Sequence, residues 1–325
     1  MRITNSMLVR NMMGNLNKNL RRMEKFQKQY QSGKLFQLPS ENPIGVSKSL
    51  KLYTDKSKIE QYKNNLRDAV SWMYTTEDAV THLGEVLNRT RYLVGDAANG
   101  TKNKDDLEMI KKEITELKNQ VIQIANSTHA GRSIFTGFKT DQDLLNQNGE
   151  YVIDLKNDEV SKYNVGVSEN ISINTLGMRV FGTITGTTTD IDGTVIVNSS
   201  NADYSTEVDS SANKDSYLFA MFNSIEKYLE KEDFGALSNT LGTVDDVITN
   251  VLEIRAEIGA KTNRLEMTQK RLDSDAINFT RLLSENEDAD IAEVIMNFKM
   301  AESVYLASMS AGARIIQPSL VDFLR

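Results

Sequence analysis

The chain has 325 residues, 39% hydrophobic and 26% charged, which is enough for a sizeable core or for two to three modest domains. A formal net charge of -7 and a pI near 5.2 argue against a nucleic-acid binder, whose footprint is a basic excess on one face. The absence of cysteine removes disulfides, thiolate nucleophiles and most structural zinc sites.

Only three prolines occur (Pro39, Pro43, Pro318), so long helices are permitted almost everywhere. The opening MRITNSMLVRNMMGNL has no continuous apolar core and no small-residue cleavage site, and does not read as a Sec signal peptide. No apolar run reaches the roughly 18 residues that span a bilayer, so stable membrane insertion is not expected.

Apolar residues spaced alternately by three and four make one narrow seam along a helix. The first seam runs Val9, Met13, Leu16, Leu20, Met23, Gln27 and Tyr30, with Gln27 a polar break, and Ser32-Gly33 ends that helix. After the Leu38-Pro39-Ser40-Glu41-Asn42-Pro43 turn, a second and very long seam runs from Ile59 through Leu66, Met73, Val80 and Leu87 to Val94, where Asn99-Gly100 stops it. Asn103 and Asp106 make a capping pair for a third helix, with seam Leu107, Ile110, Ile114, Leu117, Val121 and Ile124.

From about Gly131 to Ala212 the texture changes to short β-prone runs (Tyr151 to Ile153, Ile171 to Ile173, Val195 to Val197) among glycine, asparagine and threonine clusters. Helical spacing returns at Leu218, Phe222, Ile225 and Leu229, then along Val247, Val251, Ile254, Ile258, Leu265, Leu272, Phe279 and Leu282. The acidic stretch Ser284 to Asp288 is expected to open a last helix, with seam Ile291, Ile295, Phe298, Tyr305, Met309 and Ile316. The predicted fold is mainly α with a β-rich insert: both chain ends form a long antiparallel helical bundle or coiled coil around a central β domain.

Residues with chemical potential are few. His82 and His129 fall on different elements with no cysteine to join them as a metal site or nucleophile pair, and read as a helix-surface and a turn residue. Asp190-Ile191-Asp192-Gly193 resembles the start of a calcium loop, yet Asn201 stands where a bidentate glutamate is required, and Asp-Gly is a hairpin turn signal. Gly182 and Gly186 lack the following Lys-Ser/Thr of a phosphate loop. No catalytic, cofactor or metal residue is expected, and no enzyme. The first helix is basic on its polar face (Arg10, Lys18, Arg21, Arg22, Lys25, Lys28), which suits a partner helix or an anionic surface.

Three stretches, MRITNSM, Ser32-Gly33-Lys34 with Pro39-Ser40-Glu41-Asn42-Pro43, and Ala301-Glu302-Ser303 through Ser319-Leu320-Val321-Asp322-Phe323-Leu324, together resemble the flagellin superfamily. Ile134-Phe135-Thr136-Gly137-Phe138-Lys139-Thr140 is similar to the signature of its hook-filament junction proteins. The chain departs from that pattern at Glu41-Asn42, at Ile44-Gly45-Val46 and at Ser133.

The resemblance implies a structural subunit exported unfolded through the flagellar type III apparatus. It further implies assembly as a ring with other copies of itself, between the first hook-associated protein and flagellin, with an export chaperone as a further partner. It implies residues 1–40 and 285–325 as terminal assembly segments, 41–135 with 213–284 as a helical rod, and 136–212 as an outer insert. The interface residues would be Val9, Met13, Leu16, Leu20, Met23 and Tyr30 at one end. At the other they would be Ile291, Ile295, Phe298, Tyr305, Met309, Ile316, Leu320 and Phe323.

A helix with only a narrow seam has little to bury alone and is expected to order when neighbours cover it. Antiparallel terminal helices would also set Arg21 to Lys28 opposite Glu293 to Glu302. Two other readings stand beside this one: filament flagellin itself, and a membrane-associated helical scaffold or secreted effector.

Overall fold

Local chemistry places the helix ends. The computed structural model describes residues 5–184, 201–209 and 215–316. Helix α1 (Asn5–Ser32) stops where Gly33 takes φ +69°, a left-handed conformation that costs a residue without Cβ nothing. Helix α2 (Pro43–Ala98) begins at a proline, whose missing N–H is no loss in a first turn, and Asn42 Oδ1 accepts the Gly45 amide at 3.0 Å. The helix thus starts well before its first regular seam position at Ile59. Helix α3 (Lys104–Ala125) opens with the Asn103 amide donating to Asp106 Oδ2 at 3.3 Å, as the sequence suggests.

The chain then forms β1 (Thr128–His129), β2 (Arg132–Ser133), β3 (Lys162–Asn164), β4 (Asn170–Ser172), the short α4 (Gly177–Phe181), β5 (Thr183–Ile184) and β6 (Ala202–Asp203). Helices α5 (Tyr217–Lys231), α6 (Phe234–Glu287) and α7 (Ile291–Ile316) complete the order. Contacts divide the chain into two units, Met1–Glu60 with Asp273–Arg325, and Gln61–Leu272; α2 and α6 contribute to both.

In the unit Gln61–Leu272 the long seams of α2 and α6 are fully covered. Leu66, Met73, Val80, Leu83, Leu87 and Val94 of α2, and Val244, Val247, Val251, Ile254, Ile258 and Leu265 of α6, are all buried. Full burial stabilises each such side chain by about 1.5 to 3 kcal/mol. Arg91 with Asp245, and the Tyr74 hydroxyl donating to Glu266 at 2.8 Å, fix the two helices antiparallel. Helix α3 adds Leu107, Ile110, Ile114 and Val121, and is tied to α5 through Lys118 with Glu226.

The central region is less regular than a β domain. Among the described residues its strands pair as three two-stranded antiparallel ladders, β1–β2, β3–β4 and β5–β6. Tyr151 sits in a single bridge to Leu145, Ile171 lies opposite Tyr163 in β3–β4, and Val195 to Val197 lie outside the described residues, as does the Asp190 to Gly193 stretch.

Asparagine side chains supply many of the remaining hydrogen bonds. Asn126 Oδ1 accepts the amides of Leu144 and Leu145 at 2.9 and 3.0 Å, and Asn174 accepts from Ser161 and donates to the Glu159 carbonyl, both at 2.8 Å. This satisfies buried backbone without a ladder. Below them lies a true core of Phe135, Leu144, Tyr151, Phe181 and Tyr217, with Phe135 and Phe181 edge to face at 5.5 Å. In the Ile134 to Thr140 motif, Gly137 turns at φ +67° with Glu159 and Leu176 against it, and leaves Phe138 exposed while Ile134 and Phe135 are buried.

The last helix does not start at Ser284. Glu285 and Glu287 end α6, and the break falls at Asp288-Ala289-Asp290. Asp290 caps α7, its Oδ1 accepting the amides of Ala292 at 2.9 Å and Glu293 at 3.3 Å. An acidic run marks a helix boundary here, but only its final aspartate is the cap.

Candidate assembly interface

Helices α1 and α7 pack against each other antiparallel within the unit Met1–Glu60 with Asp273–Arg325. Three contacts set the register. Met12 rests on Gly312, so closely that a Cβ there would lie 2.6 Å from the Met12 sulfur. Asn19 Nδ2 donates to Ser308 Oγ at 3.0 Å. Phe26 lines a groove of about 360 Å³ with Asn297, Met300, Ala301 and Val304.

The half-buried residues of α1 are therefore Val9, Met12, Leu16, Asn19, Met23, Phe26 and Gln29, a heptad seam one position earlier at alternate layers than the sequence suggests. Of the expected residues, Val9, Leu16 and Met23 lie on the covered side, while Met13, Leu20 and Tyr30 are exposed.

On α7 the covered positions are Val294, Asn297, Phe298, Ala301, Tyr305, Ser308 and Gly312. Phe298 and Tyr305 were expected there, whereas Ile291, Ile295 and Met309 point away and are exposed. Leu320 and Phe323 lie outside the described residues, and so does the side chain of Ile316. Much of what α7 turns toward α1 is small or polar, as Ala301, Ser308 and Gly312 show. Besides Phe298 and Tyr305, its larger apolar side chains remain exposed: Ile291, Ile295, Met296, Leu306 and Met309, with Met300 and Val304 exposed at the edge of the groove beside Phe26. Small residues allow close approach of the two backbones, and the exposed apolar residues of α7 lie on both flanks of that contact.

The two helices are formed and cover each other in the structure of the single chain. The expected ion pairs between the helices are not what joins them. Among the described residues Lys28 pairs with Glu24 and Lys299 with Glu302, each within its own helix, and the polar link across is the Asn19–Ser308 amide–hydroxyl bond.

A buried polar node closes the base of this pair. Glu287, only 6% exposed, accepts from Lys34 Nζ at 2.7 Å and from the Tyr53 hydroxyl at 2.9 Å. Burial by itself raises its carboxyl pKa, but hydrogen bonds from Lys34, Ser49 and Tyr53 outweigh that and hold it below the ordinary value. Lys34 is pushed up by the hydrogen bond to Glu287. The backbone pairs alongside, with the Leu35 amide on the Glu287 carbonyl at 2.6 Å and the Ala289 amide on the Gly33 carbonyl at 2.9 Å. Sequence periodicity cannot see this node, because Lys34 and Glu287 are 253 positions apart.

His82 lies exposed on α2 beside Asp78 and Glu85, as expected. His129 borders the Ala130-Gly131 turn, edge-on to Trp72 with ring centroids 5.5 Å apart and with Nδ1 2.8 Å from Thr75 Oγ1. Among the described residues no three His, Asp or Glu side chains cluster as metal ligands, and no helix is long and apolar enough to cross a membrane.

The chain matches known proteins along most of its length. Residues 3–140 match the bacterial flagellin N-terminal helical region, and residues 241–324 match the bacterial flagellin C-terminal helical region. It is 28% identical to flagellar hook-associated protein 3 of Escherichia coli (strain K12), over 95% of this chain and 94% of that one. It is 26% identical to flagellin of Bacillus subtilis (strain 168), over 98% and 97%. Its fold is shared with a solved flagellar hook-associated protein of Vibrio parahaemolyticus, at a TM-score of 0.61 and 21% identity, covering 76% of this chain and all of that one. With paired terminal helices, a strand-containing centre and both flagellin regions in order, this chain is a member of the flagellin superfamily.

Proposed function

We propose that this chain is a structural subunit of the bacterial flagellum, of the hook-associated protein 3 type, set at the junction between hook and filament. The carrying observation is the set of exposed apolar residues that the α1–α7 contact leaves uncovered, Ile291, Ile295, Met296, Leu306 and Met309 of α7 with Met13, Leu20 and Tyr30 of α1. Exposed apolar residues in this number on a helix pair whose small-residue side is already covered suit lateral neighbours. Val9, Leu16, Met23, Phe298 and Tyr305 hold the hairpin together, and the exposed set meets other subunits.

On this reading the partners are further copies in a ring, the first hook-associated protein on one side and flagellin on the other, with an export chaperone before assembly. The terminal segments form the assembly layer, residues 41–135 with 213–284 a rod, and 136–212 an outer insert. The role is structural, and catalysis has no part in it. Its place at the junction rather than in the filament is supported by the Ile134 to Thr140 motif and by the 28% identity to hook-associated protein 3 of Escherichia coli, against 26% to flagellin of Bacillus subtilis.

Deletion of the gene in its host tests the reading. Cells should keep hooks, shed flagellin into the medium and regain filaments when the gene is restored. Filaments that stay attached and full-length in the deletion strain would overturn the junction assignment.

A further inference from the structure

The methionines of this chain are not spread evenly. Of 13, five lie within residues 1–32 and three within α7. Among these, Met7, Met13, Met296, Met300 and Met309 expose between 48% and 57% of their surface. Met73, Met178 and Met221, by contrast, are buried in the unit Gln61–Leu272, where Met109 and Met267 are the two exposed ones. No cysteine competes for oxidants anywhere in the chain. A thioether is soft and oxidisable, and exposure decides which sulfurs a dissolved oxidant reaches.

We propose that the exposed methionines of α1 and α7 form an oxidation-sensitive site on the assembly face, at which hydrogen peroxide converts the free subunit to a form that does not join the flagellum. The proposal rests on the reading of these helices as the assembly face.

The chemistry is complete with peroxide alone. A sulfur lone pair attacks one peroxide oxygen, an S–O bond forms as the O–O bond breaks, and the departing hydroxide takes the proton of the transferred hydroxyl to leave as water. The sulfur is oxidised to a sulfoxide and the peroxide is reduced. The product replaces an apolar, pliable tip with a strong dipole, whose burial against a neighbouring apolar helix lacks a donor to satisfy it. Met296 and Met309 are the most telling positions, because they are exposed by 57% and 48% and lie off the groove beside Phe26 that Met300 borders. Once the subunit is assembled its neighbours cover these sulfurs, so the window of sensitivity is the free subunit.

The test uses the full chain and hydrogen peroxide. Treated and untreated subunits are added to flagella isolated from cells lacking the gene; incorporation is measured, and sulfoxides are located by peptide mass. Untreated protein should incorporate, and treated protein should incorporate about tenfold less or worse, with unchanged helicity. Substituting Met7, Met13, Met296, Met300 and Met309 together by leucine should preserve incorporation and abolish the peroxide effect. Substituting Met109 and Met267 by leucine should leave the effect intact. Equal incorporation of treated and untreated wild type, with sulfoxides confirmed at the five positions, overturns the inference alone. An effect that persists in the five-leucine variant also overturns it. Failure of untreated protein to incorporate instead defeats the assembly reading beneath it.

Discussion

The unit Gln61–Leu272 and the terminal pair α1–α7 are built from the same heptad logic and end in opposite states. In the first, large apolar residues of α2 and α6 are spent on each other, and Leu66, Val80, Leu83 and Leu87 reach complete burial. In the second, the contact is made by Met12 on Gly312, Asn19 on Ser308 and Phe26 beside Ala301, while Ile291, Ile295, Met296, Leu306 and Met309 of α7 stay exposed. Hydrophobic burial scales with area removed from water, so the first arrangement stabilises the chain itself and the second holds area in reserve. The same periodicity thus encodes a core in one place and a half-covered contact in another, and the degree of burial, with the small or polar layers Asn19, Ala301, Ser308 and Gly312, separates the two.

The strongest way to break this contrast is a proline in each region. Leu66→Pro, in the buried interior of α2, removes a helix hydrogen bond, clashes with the preceding turn and empties a core position; it should cost well over about 3 kcal/mol and unfold the Gln61–Leu272 unit. Leu16→Pro, half-buried in α1, should reduce terminal helicity and assembly yet leave the main thermal transition in place. Circular dichroism melting of the two purified variants decides it, and equal loss of the main transition would show that both regions form one core.

Alanine substitution sharpens the comparison at lower cost. Leu87→Ala should lower stability by about 2 to 5 kcal/mol, as core truncations do, whereas Leu16→Ala should lower it by about 1 kcal/mol. Urea titration gives both values, and a Leu16 effect as large as that of Leu87 would place α1 in the core. The polar node lies between these extremes. Glu287→Gln leaves Lys34 without its buried counter-charge and should destabilise the terminal pair by about 1 to 3 kcal/mol. Slower amide exchange in α7 of that variant, in place of the expected faster exchange, would contradict the role given to the node.

A smaller effect belongs to pH. Hydrogen bonds from Arg179 and Lys261 lower the Glu257 carboxyl from an ordinary 4.5 to about 2. A carboxylate depressed on folding adds stability that is fully present above the ordinary value and is lost as pH falls from about 4.5 toward about 2. Because the group is partly exposed, the loss should be at most about 1 kcal/mol. Glu257→Gln should remove that portion of the acid dependence by lowering neutral-pH stability by at most about 1 kcal/mol while leaving low-pH stability nearly unchanged. Melting at pH 7 and pH 3 compares them, and an unaltered acid slope in the variant would assign the effect elsewhere.

Helices were legible from the sequence because their cause is local. Ser32-Gly33, Asn103 with Asp106, and Asn99-Gly100 punctuate the chain where α1, α3 and α2 respectively end, begin and end. What faces what was legible only where covered residues are large. The α2 and α6 seams could be read directly, but on α7 the covered side carries Ala301, Ser308 and Gly312, which no apolar count selects, and on α1 the layer at Asn19 is polar. The acidic stretch before α7 misled for a related reason: Glu287 is acidic because it meets Lys34 across the fold, and Asp290 alone caps the helix. The central strands are short because asparagine side chains, rather than ladders, satisfy the backbone, an outcome that β-propensity does not encode.

The most direct measurement concerns Ile295, an exposed apolar residue on the outward side of α7. Ile295→Asp places a charge on water-facing helix surface in the free subunit and under a neighbouring helix in the assembly. Thermal melting and incorporation into flagella from cells lacking the gene are measured on the same preparation. The expected result is a melting transition changed by no more than about 0.5 kcal/mol together with loss of incorporation. Normal incorporation, or a loss of stability comparable to that of Leu87→Ala, would contradict the assignment of this face to assembly.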